Sequence, residues 1–276
     1  MNAMHHSPPD WGSSYRLVAA EKWKAKSAAM GRDVTQGLVD YARPKPGLKV
    51  LDLASGTGEP AISLASRILP GGHITALDLS SDLLEIAAQR ARDRGLTNLA
   101  TREADAHQLP FADASFDLVT SRFGVMFLDQ RALSEAHRVL KSGARACFMA
   151  WGPFDQPFWS SMMGVVHKYV GGQLLPPGQD PFKYAQPGSL SNALRRAGLQ
   201  KVVEETKTLP WTWPGAAEEV WEQAQACSTP FLPMIRRLPA DQWEKVNREV
   251  LATVRQYADG DSIKFGATVV LASGVK

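Results

Sequence analysis

A glycine-rich turn between an apolar segment and a helix-like segment constrains the fold of this chain more than any other feature. Residues 50–61 read VLDLASGTGEPA, so Gly56 and Gly58 follow the short apolar run 49–53. Such a run before glycines is typical of a buried parallel strand. The small residues let the backbone approach a ligand, and the N-terminus of the following helix offers free amides to a negatively charged group. The turn therefore predicts a ligand-binding crevice at a strand–helix junction.

Strand and helix patterns alternate on both sides of this turn and beyond it. Residues 11–41 carry a helix-like apolar stripe, and the alternation that follows predicts a parallel sheet with helices on both faces. Residues 201–209 and 263–272 predict two C-terminal strands. Before these, the sequence predicts strands at 49–53, 73–79, 99–103, 116–121 and 144–151, with helices at 60–69, 81–94, 130–140 and 190–197.

Charge and cysteine content exclude several classes of function. The 31 Lys and Arg are interleaved with 28 Asp and Glu, so the net charge of +3 indicates no nucleic-acid surface. Cys147 and Cys227 are the only cysteines, which excludes a disulfide framework, a cysteine-ligated cluster and a four-cysteine zinc site, and we expect no metal site. No apolar run reaches the ~18 residues of a membrane span. We therefore expect a cytoplasmic protein without a membrane span.

Asp78 supplies a second element of the crevice. It stands at the end of the second predicted strand, from which a carboxylate can accept hydrogen bonds from two ribose hydroxyls. Together with Gly56-x-Gly58-x-x-Ala61, however, it also fits the dinucleotide fingerprint of nicotinamide and flavin enzymes. This pair alone leaves an NAD(P)-dependent oxidoreductase open.

Three further features resemble the class I S-adenosylmethionine-dependent methyltransferases, in the branch of the ubiquinone and menaquinone biosynthesis C-methyltransferases. Asp52 lies inside the strand before the glycine loop, where Ala54 replaces the first glycine of the family. The segment 103–111, EADAHQLPF, resembles the stretch after the third strand, and 115–127, SFDLVTSRFGVMF, resembles the fourth strand and its loop. The order and spacing match together over about residues 49–151.

The resemblance implies a fold, a cofactor and a set of binding residues. The fold is an α/β, Rossmann-like, seven-stranded sheet, mostly parallel with a C-terminal antiparallel strand, plus helical lid and cap insertions. The cofactor is S-adenosyl-L-methionine, with S-adenosyl-L-homocysteine as product. Gly56 and Gly58 meet the methionine part, Asp78 holds the ribose, and Asp105 with Ala106 reads the adenine. The implied cofactor residues are completed by Asp52, Ala54, Ser55, Leu79 (packed on the base), Arg122 and Phe123 (both near the sulfonium and the acceptor).

The implied domain organisation follows from where the alternating pattern stops. Beyond Trp151 two segments rich in aromatic residues interrupt it, and aromatic walls suit an apolar or aromatic acceptor, although small helical insertions also need large residues to build a core. We expect an N-terminal tail with lid helices at 1–46, a cofactor-binding core at 47–152, substrate-cap insertions at 153–187 and 211–260, and completion of the sheet by 188–210 and 261–276.

Methyl transfer is an in-line displacement, so aligning the nucleophile and excluding water are the main tasks, and a dedicated base is not obligatory. If one is used, Tyr15 in the predicted lid and His167 in the first insertion are the candidates. His107 is interpreted as a loop residue and His137 as a packing residue. The expected partner is a small-molecule methyl acceptor, attacked at O, N or C. A protein that binds S-adenosylmethionine without catalysis remains an alternative.

Overall fold

The computed structural model of the chain describes residues 22–276, which divide into two compact units. We call the one built from Arg32–Pro153, Phe182–Leu209 and Ala267–Lys276 the sheet unit. We call the other, whose described part comprises residues 22–31, Phe154–Pro181 and Pro210–Gly266, the helical unit. None of the helices within 22–276 is both long enough and apolar enough to cross a membrane.

The strands of the described chain form one eight-stranded sheet in the order β3-β2-β1-β4-β5-β8-β6, with β7 paired to β8 off this path. β1 pairs in parallel with β2 and β4, β2 with β3, and β4 with β5, whereas β8 runs antiparallel to β5. The strands are β1 (Lys49–Leu53), β2 (His73–Asp78), β3 (Leu99–Glu103), β4 (Phe116–Arg122), β5 (Leu140–Trp151), β6 (Gln200–Trp213), β7 (Ala258–Asp259) and β8 (Ser262–Val275).

Burial along the strands follows their position in the sheet. In the central strand β1 every residue after Lys49 is buried, as expected of a parallel strand covered on both faces. In β3, at the edge of the sheet, every residue after Leu99 is exposed, which explains why its sequence LATRE is polar. Because the order reverses between β2-β1 and β1-β4, the carboxyl ends of β1 and β4 flank the crevice at which such sheets bind ligands.

In the sheet unit, the helices that connect the parallel strands pack against the strands that precede or follow them. The start of the helix Ser81–Asp93 is fixed by Ser80, whose hydroxyl accepts a hydrogen bond from the amide of Leu83 at 3.3 Å. In chain order the helices are α1 (Lys24–Met30), α2 (Arg32–Ala42), α3 (Ala61–Arg67), α4 (Ser81–Asp93), α5 (Gln130–Val139), α6 (Pro157–Trp159), α7 (Val165–Val170), α8 (Ser189–Arg196), α9 (Ala217–Cys227), α10 (Leu232–Ile235) and α11 (Trp243–Val254).

The helical unit has a core of aromatic side chains. Phe158 makes edge-to-face contacts with Trp159, Trp211 and Phe265, at ring-centroid distances of 4.9, 5.7 and 5.5 Å. Trp213 is fully buried and meets Trp23 edge-on at 5.4 Å. Such pairs add to the stabilisation that burial of large rings provides. These aromatic residues therefore build the core of their own unit.

The fold class expected from the sequence is confirmed, and the differences lie at element boundaries. β6 continues to Trp213, so the predicted end of this strand at residue 209 is wrong: the alternation of buried Trp211 and Trp213 belongs to the strand. The two-residue strand β7 gives too short a pattern to be predicted. Part of the predicted helix 11–41 lies outside the described residues, and its described part is α1 followed by α2.

Candidate functional site

The loop after β1 follows a path that depends on left-handed backbone conformations. Ala54 has φ +53°, Gly56 φ +53° and Gly58 φ +108°. A Cβ on Gly58 would lie 2.6 Å from Cδ1 of Ile62, so a side chain there would collide with the following helix, whereas a Cβ on Gly56 would meet no atom within 4 Å. The two glycines therefore serve different purposes: Gly58 lets the loop pack against the side chain of Ile62, and Gly56 leaves open space beside the loop.

Asp78 fastens this loop to the end of β2. Its Oδ2 accepts a hydrogen bond from the amide of Gly56 at 2.8 Å, and its Oδ1 accepts one from the amide of Ser80 at 3.0 Å. The side chain is nearly buried, with 8% exposed. Each oxygen of an ionised carboxylate can accept more than one hydrogen bond, so the group retains capacity for a further donor. Asp78 thus ties the glycine loop to the next strand and faces the same loop amides.

Asp52 lies inside β1 and is fully buried. Its Oδ1 accepts a hydrogen bond from the hydroxyl of Thr120 at 2.7 Å, across the register in which these two residues are paired on β1 and β4. Its Oδ2 has no hydrogen-bond partner within the described part of the chain. Burial raises the pKa of Asp52 to about 7, although the Thr120 hydrogen bond acts to lower it. The carboxyl therefore changes its charge near neutral pH.

Arg122, the last residue of β4, is a desolvated cation on the same face of the strand as Thr120, two residues away. Its Nη1 donates to the hydroxyl of Thr35 on α2 at 2.6 Å, and its Nε is buried with no partner in the described structure. Burial lowers the pKa of Arg122, against the opposing effect of the Glu59 and Asp52 carboxylates. No ion pair within 4.0 Å joins Arg122 to a carboxylate of residues 22–276.

An aromatic pair lies at the carboxyl ends of β4 and β5, next to Arg122. Phe123 has φ +58° and stacks on Trp151, the last residue of β5, with centroids 4.1 Å apart and planes 4° apart. The Arg122 guanidinium lies 5.8 Å from the Phe123 ring centre. A Cβ on the next residue, Gly124, would lie 2.5 Å from Cβ of Ala54, so the loops after β1 and β4 approach each other closely. A non-glycine residue in the left-handed region is a form of stored strain that is common at functional sites.

The loop after β3 supplies Asp105, Ala106 and His107. Ala106 is buried, whereas 52% of the Asp105 side chain is exposed. Oδ1 of Asp105 accepts from the backbone amide of His107 at 2.9 Å and lies 2.6 Å from its ring Nδ1. Partial burial acts to raise the pKa of Asp105, but the hydrogen bonds from His107 outweigh it, and the pKa is lowered. Leu79, which follows Asp78, is an apolar side chain left 51% exposed.

All eleven cofactor residues expected from the sequence lie in the sheet unit, at the carboxyl ends of β1 to β4 or in the loops that follow. The two candidates for a general base are not among them. Tyr15 lies outside the described residues. His167 belongs to α7 in the helical unit, where its Nε2 lies 2.9 Å from the carbonyl oxygen of Gly172. The assignment of a base to either residue stays a prediction.

Three residues of the site carry no local signal in the sequence. Thr120 is identified only by its register opposite Asp52, Thr35 only by its contact with Arg122, and Trp151 only by its stack on Phe123. In each case the contact joins segments that are far apart in the chain. A threonine in a strand or helix is otherwise typical of ordinary surface or core positions.

The match to a known protein family falls within the sheet unit. Residues 50–143 match the family described as methyltransferase domain. A ubiquinone/menaquinone biosynthesis C-methyltransferase of Zymomonas mobilis is 34% identical over 184 residues, which cover 63% of this chain and 74% of that relative. The chain belongs to the S-adenosylmethionine-dependent methyltransferase family.

Other members of this methyltransferase family show how far the similarity extends. A ubiquinone/menaquinone biosynthesis C-methyltransferase of Rhizobium etli is 42% identical over 118 residues, or 42% of this chain and 46% of that protein, so the chain spans about half the length of such relatives. The fold is shared with phosphoethanolamine N-methyltransferase 2 of Haemonchus contortus, a structure in complex with S-adenosyl-L-methionine (TM-score 0.56, 17% identity, 96% of this chain and 60% of the other covered).

Proposed function

We propose that this methyltransferase transfers the methyl group of S-adenosylmethionine to a carbon atom of a small, planar, hydroxylated aromatic acceptor. The observation that supports it most is the pair of incompletely satisfied, buried groups beside the glycine loop, Oδ2 of Asp52 and Nε of Arg122. A buried polar atom without a partner is costly, so a site that retains two of them is expected to receive a ligand that satisfies both.

The charges of these two groups complement the methionine end of the cofactor. That end carries an ammonium and a carboxylate, and the ionised Asp52 and the guanidinium of Arg122 have the opposite charges. Asp78 would hold the ribose hydroxyls while it keeps Gly56 in place. Asp105 and Ala106 would meet the adenine, and Leu79, half exposed beside Asp78, offers an apolar surface for the base. The residues present therefore fit the cofactor.

The acceptor class is supported by the stacked pair and by the relatives. Phe123 and Trp151 stack in parallel at the ends of β4 and β5; Trp151 is buried, and the half-buried Phe123 is the ring of the pair that would meet a planar acceptor. Arg122 lies beside them and would stabilise an ionised hydroxyl on such a ring. The relatives from Zymomonas mobilis and Rhizobium etli are named as C-methyltransferases of ubiquinone and menaquinone biosynthesis, and ionisation of a ring hydroxyl is what makes an adjacent ring carbon nucleophilic.

In this mechanism the sulfonium of the bound cofactor supplies an activated methyl group, and the protein aligns the acceptor and excludes water. Arg122 would lower the energy of the anionic acceptor without taking its proton. Phe123 would fix the plane of the ring, which sets the angle of attack. Tyr15 and His167 remain the candidates for a base that accepts the hydroxyl or ring proton, at a gain of about 100- to 10,000-fold.

The test is transfer of isotope from S-adenosyl-[methyl-¹³C]methionine by the full chain to a panel of hydroxylated aromatic compounds, with aliphatic amines and alcohols of similar size as comparison. The proposal expects a new ring-carbon methyl signal by nuclear magnetic resonance, and loss of transfer in an Arg122→Met variant even at concentrations of S-adenosylmethionine that saturate the variant. Label found only on nitrogen or on an aliphatic oxygen would contradict the proposed acceptor. Binding of S-adenosylhomocysteine with no transfer across the panel would favour a non-catalytic role.

A further inference from the structure

The adenine end of the site contains an imidazole placed between two carboxylates. His107 Nδ1 lies 2.6 Å from Oδ1 of Asp105, and its Nε2 lies 3.4 Å from Oδ1 of Asp129. Nε2 also lies 3.5 Å from the backbone amide of Asp129. His107 is half-buried, so its ring connects the loop after β3 with the residue that precedes α5.

The partners on both sides fix the orientation of this ring. Because an ionised carboxylate only accepts hydrogen bonds, Nδ1 must carry the proton that faces Asp105. In the neutral ring Nε2 is then an acceptor toward the amide of Asp129, and in the charged ring it donates to the Asp129 carboxylate. Asp129 is itself held in place, because its Oδ1 accepts from the amides of Arg131 at 2.8 Å and Ala132 at 3.2 Å as the N-cap of α5.

The contacts of His107 restrict the orientation of the Asp105 carboxylate. Its Oδ1 is occupied twice by His107, through the backbone amide and the ring, whereas its Oδ2 accepts no hydrogen bond from the described residues. An exposed carboxylate on a loop would otherwise rotate among several side-chain conformations. With one oxygen held, the other points in a single direction and remains available to a donor. The adenine amino group is such a donor, and it needs an acceptor at a defined position.

We propose that His107 is a positioning residue that holds the Asp105 carboxylate in the orientation in which it accepts a hydrogen bond from the adenine amino group. This inference rests on the proposed function, since it concerns the same cofactor site. It assigns a role to a residue that the sequence alone places in the loop without one. Removal of the ring is expected to weaken recognition of the amino group specifically, and to leave contacts with the rest of the cofactor intact.

The loop itself does not depend on His107 for its path. The amide of Leu109 donates to Oε2 of Glu135 at 2.8 Å, and Arg138 donates to the carbonyl oxygens of Leu109 and Phe111 at 3.0 and 2.8 Å. These three hydrogen bonds anchor the loop to α5 within a few residues of His107. A variant at residue 107 therefore tests the orientation of Asp105 without releasing the loop.

The experiment is calorimetric titration of the full chain with two probes: S-adenosylhomocysteine and its purine-riboside analogue, in which hydrogen replaces the adenine amino group. For His107→Ala the inference expects the dissociation constant of S-adenosylhomocysteine to rise about 3- to 10-fold, the effect of one charge-assisted hydrogen bond at a partly exposed site. The affinity for the analogue should change less than about 2-fold. His107→Asn keeps a side-chain donor near the position of Nδ1 and should restore discrimination between the two probes.

Asp105→Ala provides the reference, because it removes the acceptor itself and should abolish the preference for S-adenosylhomocysteine over the analogue. An unchanged affinity of His107→Ala for S-adenosylhomocysteine would overturn the positioning role. Equal weakening of both probes would do so too, since it would indicate a merely structural effect. If the unmodified chain binds neither probe, the proposed function fails and this inference fails with it, and that result differs from a His107 variant that behaves like the unmodified chain.

Discussion

Replacement of Asp52 by asparagine is expected to make the stability of this protein less dependent on pH. The carboxyl is fully buried and has one hydrogen-bonded oxygen, and burial raises its pKa from 3.8 to about 7. The folded protein therefore holds this proton more tightly than the unfolded chain does. The stability that the proton contributes is fully present below the unfolded pKa of 3.8 and is lost as the pH rises through about 7.

The magnitude follows from the separation of these two pKa values. At about 1.4 kcal/mol for each pKa unit, ionisation of Asp52 in the folded state costs on the order of 4 kcal/mol in total. Between pH 5 and pH 8 about 3 kcal/mol of this is lost, because the unfolded chain is already mostly ionised at pH 5. Asparagine has nearly the same shape, carries no charge and can still accept from the Thr120 hydroxyl.

The assay is urea unfolding at pH 5 and at pH 8 without cofactor, with the exposed Asp261→Asn variant as control. Asp52→Asn should exceed the unmodified protein by about 1 to 2 kcal/mol at pH 5 and by about 4 kcal/mol at pH 8, so the difference between the two proteins grows by about 3 kcal/mol. Asp261→Asn should follow the unmodified protein at both values. Parallel pH dependence for the unmodified protein and Asp52→Asn would contradict this expectation, since it would mean that burial does not raise the pKa of Asp52 in the fold.

Three further predictions concern the loops. Gly56→Ala should cost about 1 kcal/mol of stability but weaken S-adenosylhomocysteine binding at least about 10-fold, because its Cβ would enter the open space that the ligand is proposed to occupy. Gly58→Ala should cost at least about 2 kcal/mol of stability, because its Cβ would lie 2.6 Å from Ile62. A larger stability loss for Gly56→Ala in denaturation, or a larger affinity loss for Gly58→Ala in titration, would contradict this. Asp78→Asn should weaken the same ligand about 10- to 100-fold, and unchanged affinity in calorimetry would show that the ribose binds elsewhere. Phe123→Leu should raise the KM for an aromatic acceptor while the cofactor affinity stays within about 2-fold. Equal changes in the KM and in the cofactor dissociation constant would show that the stacked pair is not part of the acceptor site.

The sequence predicts the fold and the loop of this protein well because both depend on local patterns. The apolar run of β1, the glycines after it and Asp78 at the end of β2 stand within one βαβ unit, and their spacing specifies a strand, a turn and a second strand. The register between β1 and β4 is not local. It places Thr120 against Asp52, and no pattern in either segment reveals that pairing.

The remaining features depend on contacts between distant segments. The 4.1 Å stack of Phe123 on Trp151 and the contact of Arg122 with Thr35 join residues that the sequence separates widely. His107 follows an acid by two positions, which suggests a turn, and its second contact with Asp129 becomes visible only once β3 and β4 are placed in the sheet. The residues of the cofactor loop can therefore be predicted from the sequence, whereas the side chains that hold them cannot.

Thermal unfolding of the full chain tests whether the glycine loop and Asp78 bind an adenosyl sulfur compound. S-adenosylmethionine, S-adenosylhomocysteine, NADH and NADPH would each be added separately. A ligand at about 100 times its dissociation constant adds about 2.7 kcal/mol, which for a chain of this length raises Tm by on the order of 5 to 10 °C. We predict this increase with the two adenosyl sulfur compounds alone. An increase with a nicotinamide dinucleotide alone would contradict it and would reassign the glycine loop to a different class of enzyme.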